Sequence, residues 1–336
     1  MSYQQLELLF EAVGKAANLL ILTHNNPDPD AIASAFGLSY LLAEKLGVES
    51  QIVYRGIIGR AENRALLRYL DHPLKRFVAT DLDPAIPIAL VDTQPGAGNN
   101  ALPHGSRATI VIDHHPRCKT FEAAATSFID VRPGIGATAT IMTEYLRAAN
   151  LSFERRLATA LFYGIKSDTM GLGRGTDSSD TNAFCYLLPQ IDIEALFKIQ
   201  QAQVPADYFK NLAMTLQGAR IYNGIVTSYI GQMSYPDLVA EMADLLLRRE
   251  KSKWAICVGV YDDRLILSVR SYSQQGAGRL AQQVIGSRGT AGGHGSMAGG
   301  NIILKGQNPE ELAEHLITQA LQVLNVPPKA VGNLLV

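Results

Sequence analysis

The first half of the chain alternates between short apolar runs and segments with a helical period. The short runs are rich in β-branched residues and too brief for helices; they are Leu19–Thr23, Gln51–Tyr54, Ile88–Val91 and Thr109–Ile112. The helical segments are Ala31–Leu46, which stops at Gly47, then Gly136–Ala149 and Arg155–Ile165. Continuous apolar strands separated by helices are typical of a parallel sheet covered on both faces. We therefore predict a parallel α/β domain over residues 1–188.

The pattern changes after Pro189. Residues 189–218 are mostly helical in pattern, are interrupted by Pro205, and are predicted to form a helical linker and hinge. Residues 219–336 mix strands and helices, and we predict a second, smaller mixed α/β domain. Its predicted strands are Ile221–Ile230, Trp254–Tyr261, Leu265–Arg270 and Asn301–Leu304; a turn at Asp262–Asp263 joins the middle pair, a glycine-dense stretch covers Gly286–Gly300, and a helix starts at Pro309.

Length and charge limit the classes of partner. At roughly 150 residues per domain, a chain of 336 residues holds about two domains. The formal net charge is -1 and charged residues make up 18% of the chain, which argues against a general coat for double-stranded DNA. A local anion-binding site remains compatible with this composition.

The sequence also bears on location. Apolar runs stay shorter than a membrane-spanning helix requires, and the first residues lack the basic start of a signal peptide. Cys118, Cys185 and Cys257 are far apart and odd in number, so we interpret them as reduced thiols rather than disulfides or metal ligands. We expect a cytoplasmic protein that has no membrane partner.

Histidine and aspartate side chains cluster where the predicted elements end. They form four groups along the chain: His24 with Asp28 and Asp30, then Asp92, then Asp113-His114-His115, and finally Asp168. Loops at the carboxyl ends of parallel strands meet in one crevice, so the first three groups are expected to converge.

The residue types suggest which ligand these groups bind. Alone, an aspartate after a strand is usually a helix N-cap, and a histidine pair is more often a surface pair than a metal site. Together, histidines and aspartates without a thiolate suit manganese or magnesium better than structural zinc. Four aspartates bring a charge of about -4 and would repel one another without cations. We therefore expect two divalent cations.

Five motifs in one order make the resemblance to a known family specific. They are His24-x-x-Pro-Asp-x-Asp-Ala-x-x-Ser34, the isolated Asp92, Asp113-His-His115, Gly164-Ile-x-Ser-Asp-Thr169, and Gly292-Gly-His294 followed by Ala298-Gly-Gly300. This set, spread over residues 18–305, resembles the DHH phosphoesterase family with its associated C-terminal domain. Within the family it is most similar to the two-domain type that degrades short oligoribonucleotides and dephosphorylates adenosine 3',5'-bisphosphate (pAp).

The resemblance implies a role for each matching residue. One cation would be held by His24, Asp28, Asp92 and Asp168, and the other by Asp30, Asp92, His114 and Asp168, so that Asp92 and Asp168 bridge. His115 would face the scissile phosphate, with Asp113 orienting the histidine pair. The substrate contacts would be Arg270, Ser271, His294, the backbone amides of Gly292 and Gly293, and, beside the cations, Asn25 and Arg117. The active site would lie in the cleft between the two domains, and Mn²⁺ is the expected metal, with Mg²⁺ or Co²⁺ as alternatives.

The chain departs from the family pattern at two places. Ala291 stands where the first glycine of a Gly-Gly-Gly-His stretch is expected, which would narrow the approach of a phosphate to the backbone. Residues Gly171–Arg174 replace a loop that often bears an aromatic side chain, and Arg174 would either bind a phosphate or cap a helix.

The predicted function is metal-dependent hydrolysis of short 5'-phosphorylated oligonucleotides to mononucleotides, with nucleoside 3',5'-bisphosphate phosphatase activity. Linearisation of a cyclic dinucleotide, and hydrolysis of pyrophosphate or short polyphosphate, stay open because the same metal ligands would serve them. A nucleotide sensor without turnover is a further alternative. A base-stacking surface would separate these substrates, but Tyr261 and Tyr272, the nearby aromatics, are interpreted as packing residues. A homodimer is compatible with the sequence.

Overall fold

The structure, a computed structural model, describes residues 3–71, 74–78, 82, 83, 85–103, 105–118, 120, 121, 126–273 and 275–336, with His294 described by its backbone alone. The chain divides into two units, Met1–Ala202 and Gln203–Val336. Both units combine helices with a β-sheet, which confirms the predicted α/β class with a parallel and a mixed sheet.

The first unit is built on a six-stranded parallel sheet in the order β3-β2-β1-β4-β5-β6. Its elements in chain order are α1 (Tyr3–Val13), β1 (Asn18–Leu22), α2 (Pro29–Leu46), β2 (Glu49–Tyr54), α3 (Ala61–Leu70), β3 (Lys75–Arg76), β4 (Ile88–Val91), β5 (Ile110–Asp113), β6 (Phe128–Val131), α4 (Thr138–Ala148), α5 (Arg155–Asp168), α6 (Ser178–Leu187) and α7 (Ile193–Gln200). A short 3-10 helix, Leu188–Gln190, joins α6 to α7.

Both faces of this sheet are covered, as the continuous apolar strands predict. Leu19 and Ile21 of β1 pack in a core formed with helices α1, α2, α4 and α5. Leu20 and Leu22 point to the other face, where they pack in a second cluster that includes Phe121. In β1, four consecutive residues are therefore buried, because alternate side chains enter opposite cores.

The register of the sheet brings three chemically active loops to one edge. Leu22 of β1 pairs with Leu90 of β4, and Val91 pairs with Ile112 of β5. All three strands run in the same direction, so the residues that follow them emerge at the same end of the sheet.

The second unit holds a seven-stranded mixed sheet in the order β11-β12-β10-β9-β8-β7-β13, in which only the pair β8–β9 is parallel. Its elements are α8 (Ala206–Gly218), β7 (Arg220–Tyr222), β8 (Ile225–Gln232), α9 (Leu238–Leu247), β9 (Trp254–Tyr261), β10 (Arg264–Ser271), α10 (Ala277–Ile285), β11 (Thr290–His294), β12 (Met297–Ile303), α11 (Pro309–Val323) and β13 (Asn333–Leu334). Helices α10 and α11 bury their apolar residues against the sheet, and α9 packs on β9 and β10.

The segment 189–218 is shared between the two units. Leu196 and Ile199 of α7 are buried in the core of the first unit. Helix α8 lies in the second unit, where Asn211 Nδ2 donates to the backbone oxygen of Gln232 at the end of β8. Pro205, which interrupts the helical pattern, immediately precedes α8.

The glycine-dense stretch forms a β-hairpin rather than an irregular loop. Gly292 of β11 lies opposite Gly299 of β12, and the strand predicted to start at Asn301 starts at Met297. Gly293 has φ 141°, and a Cβ there would lie 2.4 Å from the backbone oxygen of Met297, so only glycine fits. Glycine has no side chain to show the alternation that identifies strands, which is why the pattern missed β11.

No helix in the described part of the chain is long and apolar enough to cross a membrane.

Candidate metal centre

The four predicted groups of histidine and aspartate converge at the carboxyl edge of the parallel sheet. His24 Nε2 lies 3.4 Å from Asp92 Oδ2 and 3.7 Å from Asp28 Oδ1. His114 Nε2 lies 3.3 Å from Asp168 Oδ2, 3.6 Å from Asp92 Oδ1 and 4.0 Å from Asp30 Oδ2. Asp92 therefore turns one carboxylate oxygen toward each histidine, as a residue shared by two cations would.

Local structure explains how α2 presents two of these acids. Asp28 is the N-cap of α2 and its Oδ1 accepts the N–H of Ala31, with Pro29 at the first helical position. Asp30 follows in the first turn and is fully buried. The N-cap interpretation and the ligand interpretation of Asp28 are thus compatible, because the same side chain also lies beside His24.

Both histidines are oriented for binding through Nε2. His24 Nδ1 lies 2.9 Å from the backbone oxygen of Asn25, and His114 Nδ1 lies 3.1 Å from the backbone oxygen of Ile135. A carbonyl oxygen only accepts, so each Nδ1 carries a proton, and Nε2 is the nitrogen whose lone pair a cation would bind once the ring is neutral. A backbone carbonyl that fixes the tautomer in this way is the usual partner of a metal-binding histidine.

Two buried polar atoms in the centre lack a hydrogen-bond partner among the described residues. They are Asp92 Oδ2 and His114 Nε2. Buried polar atoms without a partner are rare because each one costs desolvation free energy. A divalent cation bound by histidine and carboxylate atoms would satisfy both, so these residues fit the expected metals.

Burial and mutual repulsion disfavour the ionised form of two of the aspartates in the centre. Burial, with the charges of Asp92 and Asp168, raises the pKa of Asp30 well above its ordinary value. Burial, with the charge of Asp28, raises the pKa of Asp168. Burial opposes protonation of His114, but the carboxylates of Asp168, Asp92 and Asp30 outweigh it and raise its pKa. The cluster therefore attracts positive charge.

The first turn of α4 donates hydrogen bonds to two of the acids, a role that the sequence did not indicate. The N–H groups of Thr138 and Ala139 each donate to Asp30 at 2.7 Å, and Thr138 Oγ1 donates to Asp92 Oδ1 at 2.8 Å. Thr138 is fully buried. A threonine at the start of a helix is common for reasons of capping alone, so its type gave no signal of this role.

The glycine of the Gly-Ile-x-Ser-Asp-Thr motif has a steric role. A Cβ on Gly164 would lie 3.1 Å from the Cβ of Ala139 and 3.2 Å from the Cα of Asp30, closer than side chains normally pack. Glycine at this position lets α5 approach α2 and α4. Helix α5 runs on to Asp168, three residues beyond the predicted end at Ile165, and so carries that carboxylate into the centre.

Asp113 and His115 form a pair beside the centre. His115 Nδ1 lies 2.8 Å from Asp113 Oδ1, and Gln94 Nε2 donates to Asp113 Oδ2 at 2.7 Å. Burial alone would raise the pKa of Asp113, but the hydrogen bonds from His115 and Gln94 lower it. Burial opposes protonation of His115, but Asp113 raises its pKa. Gln94 is a second residue that the sequence missed, since a lone glutamine matches no motif.

In the second unit, Arg270 and Ser271 lie at the end of β10 and are engaged with their own unit. Arg270 Nε donates to Asp244 Oδ1 at 2.6 Å, and Nη1 donates to Ser268 Oγ at 3.0 Å. Ser271 Oγ lies 2.8 Å from Ser273 Oγ. These contacts fix the guanidinium rather than leave it extended in solvent.

The remaining predicted contacts are distributed as follows. Gly292 and Gly293 lie in β11, with open space beside Gly292; the side chain of His294 lies outside the described residues. Asn25, next to His24, has a buried Oδ1 without a hydrogen-bond partner in the described chain. Arg117 is exposed, with its guanidinium 5.5 Å from the centroid of the Phe121 ring.

Two expectations about loops and aromatic residues have definite outcomes. Arg174 Nη2 donates to the backbone oxygen of Asp168, so the helix-capping alternative describes the contact in this structure. Tyr272 is 81% exposed, so its interpretation as a packing residue is wrong. Tyr272 follows the last residue of β10, where the strand leaves the core.

Comparison with known proteins identifies the first unit. Residues 18–165 match the DHH family, N-terminal domain, which confirms the DHH part of the resemblance. The chain is 36% identical over 314 residues to an uncharacterized protein of Methanocaldococcus jannaschii, a match that covers 92% of this chain and 63% of the relative. It is 30% identical over 152 residues to the manganese-dependent inorganic pyrophosphatase of Bacillus subtilis, covering 45% of this chain and 48% of that protein. The chain thus spans between about half and two thirds of the length of these relatives.

Solved structures share the fold of both units. An exopolyphosphatase-related protein of Bacteroides fragilis matches with a TM-score of 0.74 at 16% identity, over 96% of each chain. RecJ of Thermus thermophilus in complex with Mn²⁺ matches with a TM-score of 0.51 at 16% identity, over 95% of this chain and 54% of RecJ.

Proposed function

From the premise that the chain carries a DHH-family N-terminal domain, we propose that it is a two-metal phosphoesterase. Its proposed substrates are short 5'-phosphorylated oligonucleotides, hydrolysed to mononucleotides, and nucleoside 3',5'-bisphosphates such as pAp. The observation that carries the proposal is the shared position of Asp92, which turns Oδ2 toward His24 and Oδ1 toward His114. With five further ligand residues around it, this carboxylate provides for two cations rather than one.

The cations would be held by the residues of the centre, with Mn²⁺ as the first expectation. The pyrophosphatase relative is named as manganese-dependent and the similar RecJ structure contains Mn²⁺, which supports this choice. Bound cations would stabilise negative charge on a phosphate and lower the pKa of water.

The protein's own proton chemistry would come from His115. Its Nδ1 is held by Asp113, so Nε2 is the nitrogen that would meet a substrate oxygen. About a third of the His115 side chain is exposed, whereas His114 is almost fully buried. Burial opposes protonation of His115, but Asp113 raises its pKa and so favours the protonated form, which would donate a hydrogen bond to a phosphate oxygen or a proton to the leaving group.

The second unit is proposed to grip another part of the substrate. Arg270, with its guanidinium held by Asp244, and the open backbone beside Gly292 are suited to an anion. Ser271, Gly293 and His294 stay in this proposal as neighbouring contacts. Such a grip would bind a second phosphate of the substrate, which a dinucleotide or a nucleoside 3',5'-bisphosphate provides.

One observation favours a second candidate. The pyrophosphatase of Bacillus subtilis is 30% identical to this chain, although the match covers 45% of it. Hydrolysis of pyrophosphate would require the metal centre but not the nucleotide contacts of the second unit.

The experiment is hydrolysis of pApA in the presence of Mn²⁺, followed by chromatography, with pAp and pyrophosphate in parallel. We expect conversion of pApA to AMP, and loss of all turnover in Asp168→Asn. The matched control is Asp192→Asn, which keeps a carboxamide cap on α7 in the same unit and should retain activity. Rapid turnover of pyrophosphate without pApA would overturn the nucleotide proposal, and no turnover of any of the three would overturn the phosphoesterase proposal.

A further inference from the structure

Asp180 is a buried acid that lies outside the metal centre and serves no step of the proposed chemistry. It belongs to the first turn of α6 and is fully buried. Its Oδ2 accepts the N–H of Gly136 at 2.8 Å and the N–H of Asp177 at 3.0 Å, and its Oδ1 accepts Thr140 Oγ1 at 2.6 Å. Among the described residues, no lysine or arginine forms an ion pair with it, so hydrogen bonds alone stabilise it.

The partners of Asp180 lie on both sides of the turn that serves the metal centre. Gly136 precedes the start of α4 and Thr140 follows it, while Thr138 and Ala139 between them hold Asp30 and Asp92. The Asp180 carboxylate therefore binds both ends of the segment 136–140, and the residues in the middle of this segment donate hydrogen bonds to the metal centre. The contacts of Asp180 with the two ends form a clamp on this segment.

Helix α4 begins without a side-chain cap of its own. Its N-cap is Ala137, which has no side-chain oxygen, whereas α2 and α6 are capped by their own aspartates. A buried carboxylate offsets the cost of its desolvation only where it is fully hydrogen-bonded, and here two of the bonds come from residues on either side of the start of α4, whose own N–H groups at Thr138 and Ala139 donate to Asp30.

Packing around Gly136 links the clamp to the end of α5 as well. A Cβ on Gly136 would lie 2.6 Å from Thr169 Cγ2, 2.9 Å from the backbone oxygen of Gly175 and 3.0 Å from Asp180 Oδ2. Thr169 directly follows Asp168, so the turn at Gly136 also contacts the neighbour of a second acid of the centre.

We propose that Asp180 is a positioning residue for the metal centre: by clamping the first turn of α4, it places the donors that hold Asp30 and Asp92 ready for cations. This inference rests on the proposed function, because it requires that the centre binds metal. Weakening the clamp should lower metal affinity more than it lowers the stability of the metal-free protein.

The test is calorimetric titration of Mn²⁺ into the metal-free full chain, with Tm measured in EDTA. Replacing a residue that holds a metal ligand lowers the affinity for the metal by about 10–100-fold. Asp180 acts through the residues that hold Asp30 and Asp92, one contact further from the metal, so we expect a loss of about tenfold for Asp180→Asn. Thr140→Val removes one arm of the clamp and should cost about threefold on the same scale. The matched control is Asp192→Ala, which removes the N-cap bond to Ala195 in α7; within the described residues, Asp192 has no hydrogen bond to α4 or to the centre.

Asp192→Ala should lower Tm and leave Mn²⁺ affinity within about twofold of the wild type, since capping contributes to stability alone here. Wild-type affinity in Asp180→Asn would overturn the inference. If Asp180→Asn does not fold, wild-type affinity in Thr140→Val overturns it instead. A wild-type protein that binds no Mn²⁺ would overturn the metal centre and this inference together, whereas a wild type that binds Mn²⁺ without hydrolysing any substrate would overturn the proposed function alone.

Discussion

Replacing Thr138 by valine would remove one hydroxyl from the metal centre and keep the shape of the side chain. Thr138 Oγ1 donates to Asp92 Oδ1 at 2.8 Å, and Asp92 Oδ2 is already without a hydrogen-bond partner among the described residues. The variant would therefore leave both oxygens of a buried carboxylate without a side-chain donor. The backbone N–H of Thr138, which donates to Asp30, would be unaffected.

The magnitude follows from the charge on the acceptor. A hydrogen bond to a charged group contributes about 1.5–3 kcal/mol, so we expect a loss of stability in this range for the metal-free protein. Asp92 would also lose the contact that orients it, and such losses weaken metal binding by about 10–100-fold, or about 1.4–2.8 kcal/mol. Thr138→Ser keeps a hydroxyl at the same position and should bind Mn²⁺ nearly as the wild type does.

The assay is calorimetric titration of Mn²⁺ together with Tm in EDTA. Thr143→Val is the matched control: Thr143 is buried in the same helix, but its hydroxyl donates to the backbone oxygen of Ala139, not to a ligand. It should lower Tm and leave the affinity unchanged. Equal affinities for the two valine variants would refute the claim that the Thr138 hydroxyl orients Asp92.

The remaining predictions concern pH, thiols and substrate contacts. Burial and neighbouring acids raise the pKa of Asp30, and the surrounding acids raise the pKa of His114 despite its burial. The metal-free protein therefore becomes less stable as the pH rises through these two pKa values and both groups lose their protons. Added Mn²⁺ should therefore raise Tm more at pH 8 than at pH 6, and equal increments would contradict this. Burial raises the pKa of the Cys257 thiol, so iodoacetamide should label the exposed Cys185 in the native protein and leave Cys257 unmodified by mass spectrometry. Arg270→Ala should raise KM for pApA and hardly change that for an aryl phosphodiester; equal losses would remove Arg270 from substrate binding.

The positions of the ligands could be predicted because the topology follows from burial. Strands such as Ile88–Val91 are apolar throughout because they are covered on both faces, and apolar runs of this length between helices indicate a parallel sheet. Residues that follow parallel strands share an edge, so the convergence of His24, Asp92 and His114 followed from their places along the chain. Their chemistry then pointed to a cation.

The supporting residues could not be predicted in the same way. Thr138 and Gln94 act through hydrogen bonds to the acids of the site, and threonine or glutamine after an element is too common to indicate such a role. Strand β11 was missed because glycine and alanine do not alternate in polarity. Tyr272 was interpreted as a packing residue, but β10 ends one residue before it and the ring is exposed.

The way Asp30 is held explains how the fold tolerates a buried cluster of acids. Asp30 lies in the first turn of α2 and accepts two backbone N–H groups from the first turn of α4, so the N-terminus of α4 faces it. A helix N-terminus carries partial positive charge and unpaired donors, which offset part of the burial and repulsion that raise the pKa of Asp30. The same donors fix the direction of the carboxylate, because they come from backbone that cannot rotate away. The acid is therefore oriented by the fold itself, and cation binding would relieve its repulsion with Asp92 and Asp168 without having to build the site.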